Sequence, residues 1–244
     1  MVSSAVRRLE RRIKISGDNN LDAIRNVDWT SMLTNALLLI VPALVSLTFH
    51  ELSHGFVAYK LGDRTAKDEG RLTLNPVRHI DPIGLVMMLI FRFGWAKPVP
   101  VNMRNFKNPR RGMAITALAG PISNLILASA VLFIFGLVFT RLGGLNATGA
   151  NEIIRDIIIN TAWLSVMFAV FNMLPIPPLD GSKILFSFIP DNAYYKLMRY
   201  ERYGFIILII VVNTQIFRDT IGSATQALFD RLFAIAEATF NLVN

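Results

Sequence analysis

The chain has 244 residues, of which 53% are hydrophobic and only 17% charged, with a mean hydropathy of +0.46. Soluble domains carry about 25% charged residues, so this composition excludes an ordinary soluble globule and points to lipid. Cysteine is absent, which excludes disulfides and thiolate metal sites. The net charge of +8 sits in basic clusters between apolar blocks, a pattern that sets membrane topology and argues against nucleic acid as a partner.

In chain order, residues 1–30 form a basic arm whose run RRLERRIK is expected to lie on a membrane surface as a helix. The stretch SMLTNALLLIVPALVSLTF (31–49) has no charged residue and continues to Tyr59, broken only by Glu51 and the histidines. Residues 112–140, 157–179 and 203–217 are also uncharged. A spanning helix needs about 20 apolar residues. The first three blocks reach that length, and the fourth does so by extending into 199–219. The first block has no Ala-x-Ala cleavage pattern and carries a chemical motif, so it is not read as a removable signal. The expectation is an all-α polytopic membrane protein with about four transmembrane helices: a core over 31–217 and a C-terminal segment over 218–244.

Two further elements stand out. IGLVMMLIF (83–91) makes a helix of only about 14 Å, too short for a bilayer of about 30 Å. Gly94 follows, then the strand-like WAKPVPV, so 83–101 is expected to be a re-entrant β-hairpin. A short interfacial helix is the alternative. Pro98 and Pro100 cannot donate ladder bonds, which makes Gly84–Phe91 the pairing arm, with Gly84, Val86 and Met88 as expected substrate-binding positions on a strand edge. From Thr220 onward, Ser223, Gln226, Asp230, Glu237 and Asn241 recur at helical steps among apolar residues. That spacing predicts an amphipathic helix at the interface or against the bundle.

Orientation follows from Lys and Arg. Loop 60–111 holds eleven and loop 180–202 four, against two each in 141–156 and the tail from 218. The rich side is expected in the cytoplasm, although the six basic residues of the arm run against this pattern.

The chemistry lies in FHELSHG (49–55). On a helix, positions i and i+4 share a face about 5–6 Å apart at Cβ. His50 and His54 are therefore spaced to hold one zinc, with Glu51 placed to reach a zinc-bound water as general base. Ionisable residues within a spanning segment cost roughly 2.5–3.5 kcal/mol each and usually mark function. A catalytic zinc takes three protein ligands. Candidates for the third are His79, Asp68, Glu69 and Asp180. The better candidate is Asp180, the first charge after 23 uncharged residues, where Pro175, Pro177 and Pro178 free the chain to bend toward another segment. Its competing role is to cap the helix that follows. Asn124 fits either a contact to the active site or a helix-packing hydrogen bond. His79 reads as a loop residue, and Ala117, Gly120 and Ser123 read as close helix packing.

HELSH, LNPVRHIDPIG (74–84), AGPISN (119–124) and NMLPIPPLDG (172–181) together resemble the site-2 protease family of intramembrane zinc metalloproteases, over roughly residues 30–215. The resemblance implies zinc held by His50, His54 and Asp180, with Glu51 activating water. It implies that Asn172 binds substrate or stabilises the oxyanion, that the hairpin engages the substrate strand, and that the substrates are transmembrane segments of other proteins. The chain is similar to the compact branch without PDZ or CBS domains. The active site would then lie toward the cytoplasmic side of the cell membrane. The competing class is a catalytically inactive membrane adaptor or a small transporter. A transporter would be favoured by inverted repeats, which the sequence lacks.

Overall fold

A computed structural model describes residues 29–91, 96–190 and 203–243. The run RRLERRIK and the Gly94 turn fall outside the described residues. Two compact units are distinguished, Met1–Asn35 and Ala36–Asn244. Everything that follows concerns the second, apart from the first turns of α1.

Helix α1 spans Trp29–Lys60 with Pro42 inside it. Proline has no N–H, so the carbonyl four residues earlier, on Leu38, loses its helical donor. Asn160 supplies the replacement, its Nδ2 lying 3.3 Å from the Leu38 oxygen. In lipid an unsatisfied carbonyl costs several kcal/mol, so this bond lets Pro42 sit in the span. One turn further on, Ser46 Oγ and Ser165 Oγ lie 2.8 Å apart, small polar side chains that let two helices approach closely.

A short helix, α2 (Thr65–Asp68), follows α1. Asp63, fully buried just before it, gathers four donors: Thr65 N at 3.1 Å, Thr65 Oγ1 at 2.5 Å, Asn102 N at 2.7 Å and Asn105 Nδ2 at 2.7 Å. One carboxylate thus pins the loop after α1 to the segment that leads into the next long helix.

The expected β-hairpin is corrected here. Pro82–Phe91 is a helix, α3, so Gly84, Val86 and Met88 present no strand edge. The reason was legible but outweighed: Asp81 accepts from Gly84 N at 2.9 Å, and Pro82 follows at the first helical position, a start signal. A nine-residue apolar run has no period of its own to decide between helix and strand. Of the β character, one antiparallel bridge exists among the described residues, Ile80 with Ala96, backed by Lys97 N donating to the His79 carbonyl at 2.9 Å.

Helix α4 spans Pro109–Val138, entered through Asn108, whose side chain accepts from Arg111 N at 3.1 Å. Helix α5 spans Ala150–Asn172, displaced from the uncharged block 157–179 because the prolines beyond Asn172 end it. Helix α6 spans Asp180–Phe186. Leu33–Lys60, α4 and α5 are each long and apolar enough to cross a membrane.

The fourth expected span is not one straight helix. Tyr203–Val212 (α7) and Gln215–Val243 (α8) are bent by 83° at a short break, so the described helices give three spans, or four if the bent pair counts as one. At the break, Asn213 Nδ2 donates to the Ile209 carbonyl and Thr214 Oγ1 to that of Val211, each at 2.7 Å. Such side-chain bonds compete with helix continuation.

α4 packs against α5, α6 and α8. The core runs between α4 (Ala128, Leu132, Phe135), α5 (Ala162, Val166) and α8 (Phe229, Ala236). Gly136 brings α8 close: any Cβ there would collide with Thr239 Oγ1 and the Ala236 carbonyl. The C-terminal helix is thus amphipathic with its apolar face on the bundle, leaving Ser223, Asp230, Glu237 and Asn241 exposed.

Candidate metal centre

Three helices meet at one point. α1 presents His50 and His54 one turn apart, their ring centroids 4.6 Å apart and their planes at 89°. α6 begins at Asp180, with Leu179 in the capping position and no side-chain cap bond. The Asp180 carboxylate points to the histidines instead: Oδ2 lies 3.0 Å from His50 Nε2 and 3.1 Å from His54 Nε2. All three groups are buried, and their ligand atoms lie within 4.8 Å of one another. The turn that delivers Asp180 leaves no room for a side chain at Gly181, where a Cβ would strike the carbonyls of Met173 and Leu174.

Electrostatics suits a cation. Two imidazoles and one carboxylate form a hydrolytic zinc donor set. α4 supplies the surroundings. His54 Nδ1 lies 2.7 Å from the Thr116 carbonyl, and His50 Nδ1 lies 3.2 Å from Asn124 Nδ2. Between them Gly120 leaves the space the rings occupy: a Cβ there would sit 2.5 Å from Cε1 of each histidine and 2.6 Å from His50 Nε2. The residues present therefore fit a metal ion.

A cavity of about 360 Å³ opens beside these ligands, lined also by Glu51, Asn172, Lys183 and Val99. Glu51 Oε2 accepts from Val99 N at 2.8 Å, which fixes one oxygen of its carboxylate. Val99 is held in turn, its side chain packed where Gly55 has no Cβ. Asn172 Nδ2 donates to the Phe168 carbonyl of its own helix at 3.0 Å. Lys183 Nζ lies 3.9 Å from Asp180 Oδ1.

The other candidates stand apart. Asp68 and Glu69 are exposed, His79 is bonded to the Thr73 carbonyl at 2.9 Å, and none of them joins the cluster. Gly84 and Val86 are not among the described residues that line the cavity. Asn124 contacts His50, one of the three candidate ligands. Gly120, Thr116, Val99 and Lys183 were not singled out for chemistry. Thr116 and Val99 act through main-chain atoms, which leave no side-chain signature. The one available hint was Gly120, a glycine in a spanning block.

Fold and site together define a helical membrane protein with a buried two-histidine, one-aspartate centre. The chain belongs to Peptidase family M50, whose signature matches residues 141–213. It is similar to three proteins that carry the name "Putative zinc metalloprotease". YwhC of Bacillus subtilis is 40% identical over 204 residues, covering 83% of this chain and 92% of that protein. Rip2 of Mycolicibacterium smegmatis is 29% identical over 197 residues, 79% of this chain and 72% of its own length. MJ0611 of Methanocaldococcus jannaschii is 33% identical over 141 residues, 56% and 63% respectively. No solved structure matches.

Proposed function

We propose that the protein is an intramembrane zinc metalloprotease that hydrolyses peptide bonds within transmembrane segments of other membrane proteins. The observation that carries this is one cavity holding the convergent His50, His54 and Asp180 donors beside the Glu51 carboxylate, in a chain of family M50.

His50, His54 and Asp180 would hold zinc, which would supply Lewis-acid chemistry and lower the pKa of a bound water. Glu51 takes the proton from the attacking water and returns it to the departing amide nitrogen. The Val99 amide orients that carboxylate through Oε2, leaving Oε1 for the proton. Asn172 Nδ2 has a second hydrogen beyond the one used on Phe168, a donor for negative charge on the substrate oxygen. The extended chain at Pro98, Val99 and Val101 borders the cavity and suits an unwound substrate segment. The membrane is the cell membrane, with the cavity toward the cytoplasm. Both histidines lie near the Lys60 end of α1, next to the loop with eleven Lys/Arg.

The test is Glu51→Gln. Zinc content should stay at wild-type level while cleavage of a transmembrane substrate falls by at least about a thousandfold. Loss of zinc in the variant would make Glu51 a ligand. Unchanged fragment patterns in cells would favour an inactive adaptor.

A further inference from the structure

We infer that Asn124 is a positioning residue that fixes the tautomer of His50, accepting a hydrogen bond from Nδ1–H through Oδ1 so that Nε2 is free to bind the metal. This rests on the zinc reading above.

The argument starts from His54. Its Nδ1 sits 2.7 Å from the Thr116 carbonyl, an atom that only accepts. The proton is therefore on Nδ1, and the Nε2 that faces Asp180 carries the lone pair. His50 presents Nε2 to the same carboxylate oxygen, so it needs the same tautomer, with a proton on Nδ1 and an acceptor for it. The polar group at that nitrogen is the Asn124 amide, 3.2 Å away and fully buried.

Drawn with Nδ2 toward His50, the amide would donate to Nδ1 and force the proton onto Nε2, the atom required as a ligand. The same orientation leaves the buried Oδ1 without a hydrogen-bond partner among the described residues. The oxygen and nitrogen of an amide are nearly isosteric, and their assignment follows from the bonds they make. Turning the amide by 180° gives His50 the ligating tautomer and Oδ1 a donor, and carries the unpartnered position from Oδ1 to Nδ2. A metal-bound histidine almost always donates its other N–H to such an acceptor, and losing that partner typically costs 10–100-fold in metal affinity. α4 then supplies both outer acceptors, a carbonyl for His54 and a side chain for His50, one on each side of Gly120.

Zinc affinity by chelator competition on purified protein in detergent tests this without reference to turnover. Asn124→Leu, of similar size but with no acceptor, should raise the zinc Kd by 10–100-fold. Asn124→Asp, which can only accept, should bind zinc as tightly as wild type or tighter. Asn160→Leu, which removes a half-buried amide from the Leu38 carbonyl, should lower thermal stability with zinc affinity unchanged. Wild-type affinity in Asn124→Leu would overturn the inference. So would equal losses in Asn124→Asp and Asn124→Leu, because a donating Asn is disrupted by both changes. If Asn124→Leu does not fold, Asn124→Asp decides alone: retained affinity supports the inference and a loss of tenfold or more overturns it. A wild-type protein that binds no zinc would instead remove the functional reading itself.

Discussion

Gly120→Ala adds one methyl group to a 244-residue chain, and the geometry makes its effect large. The new Cβ would stand 2.5 Å from Cε1 of both His50 and His54 and 2.6 Å from His50 Nε2. Carbon atoms rest about 3.5–4.0 Å apart, so both rings must retreat by about 1 Å or α4 must back away from α1. Metal–ligand distances tolerate about 0.2 Å, so a shift of that size takes two of three ligands out of reach at once. If α4 retreats instead, the Thr116 and Asn124 contacts to the ring nitrogens break. Either route should weaken zinc binding at least 100-fold and lower cleavage by at least the about 10²-fold that a 1 Å misplacement costs. Zinc per chain after dialysis against a chelator, measured with apparent Tm to establish folding, reads this directly. A folded Gly120→Ala protein with wild-type zinc affinity would show that the rings do not sit where they are described, and would refute the site's geometry.

Asp180→Ala should lose zinc by several orders of magnitude in affinity, whereas Glu69→Ala and His79→Ala should bind as wild type; full zinc occupancy in Asp180→Ala would remove Asp180 from the ligand set. Asp63 gives a pH-dependent effect outside the membrane spans. Burial pushes its carboxyl up, but the bonds from Thr65, Asn105 and Asn102 outweigh this and hold it below its ordinary value of 3.8. A carboxyl lowered in the folded state adds stability that is full above pH 3.8 and lost as pH falls through the lower folded value. Asp63→Asn should therefore reduce apparent Tm near neutral pH, by the equivalent of about 1–3 kcal/mol. The gap to wild type should narrow below about pH 4, and a gap independent of pH would contradict this account.

How much was legible depended on whether a property was local. The three long spans follow from length and the absence of charge, and His50 with His54 follows from helical spacing alone. Asp180 lies 130 residues from His50, yet an aspartate after a proline-rich break at the end of an apolar block was still an anomaly to be noticed. The 83–101 region failed for a physical reason. Val, Ile, Leu and Met serve a buried helix and a buried strand alike, and the Asp81-Pro82 helix start was not set against Gly94 in that reading. The bend at Asn213 and Thr214 was hidden because side-chain bonds to helix carbonyls stop a helix without proline or glycine. Thr116 and Val99 were beyond reach, since their roles rest on main-chain atoms, whereas Gly120 was legible only as close helix packing.

Val99 N donates to Glu51 Oε2 across 48 residues of sequence. The base and the histidines sit on one rigid helix, but the base is oriented by a segment outside that helix, Ala96–Val101, which also borders the cavity. That segment is fastened at three points: the Ile80–Ala96 bridge, Arg71 donating to the Lys97 carbonyl at 2.8 Å, and Val99 packed on Gly55. A substrate strand laid along Pro98–Val101 would press on the same backbone that holds the carboxylate. On the proposed function, substrate position and base orientation would be set by one piece of chain. Arg71, itself buried, touches this segment at the Lys97 carbonyl. The zinc ligands, held by α1, α4 and α6, do not depend on that segment. His50, His54 and Asp180 converge without that segment, whereas the Glu51 carboxylate is held by it.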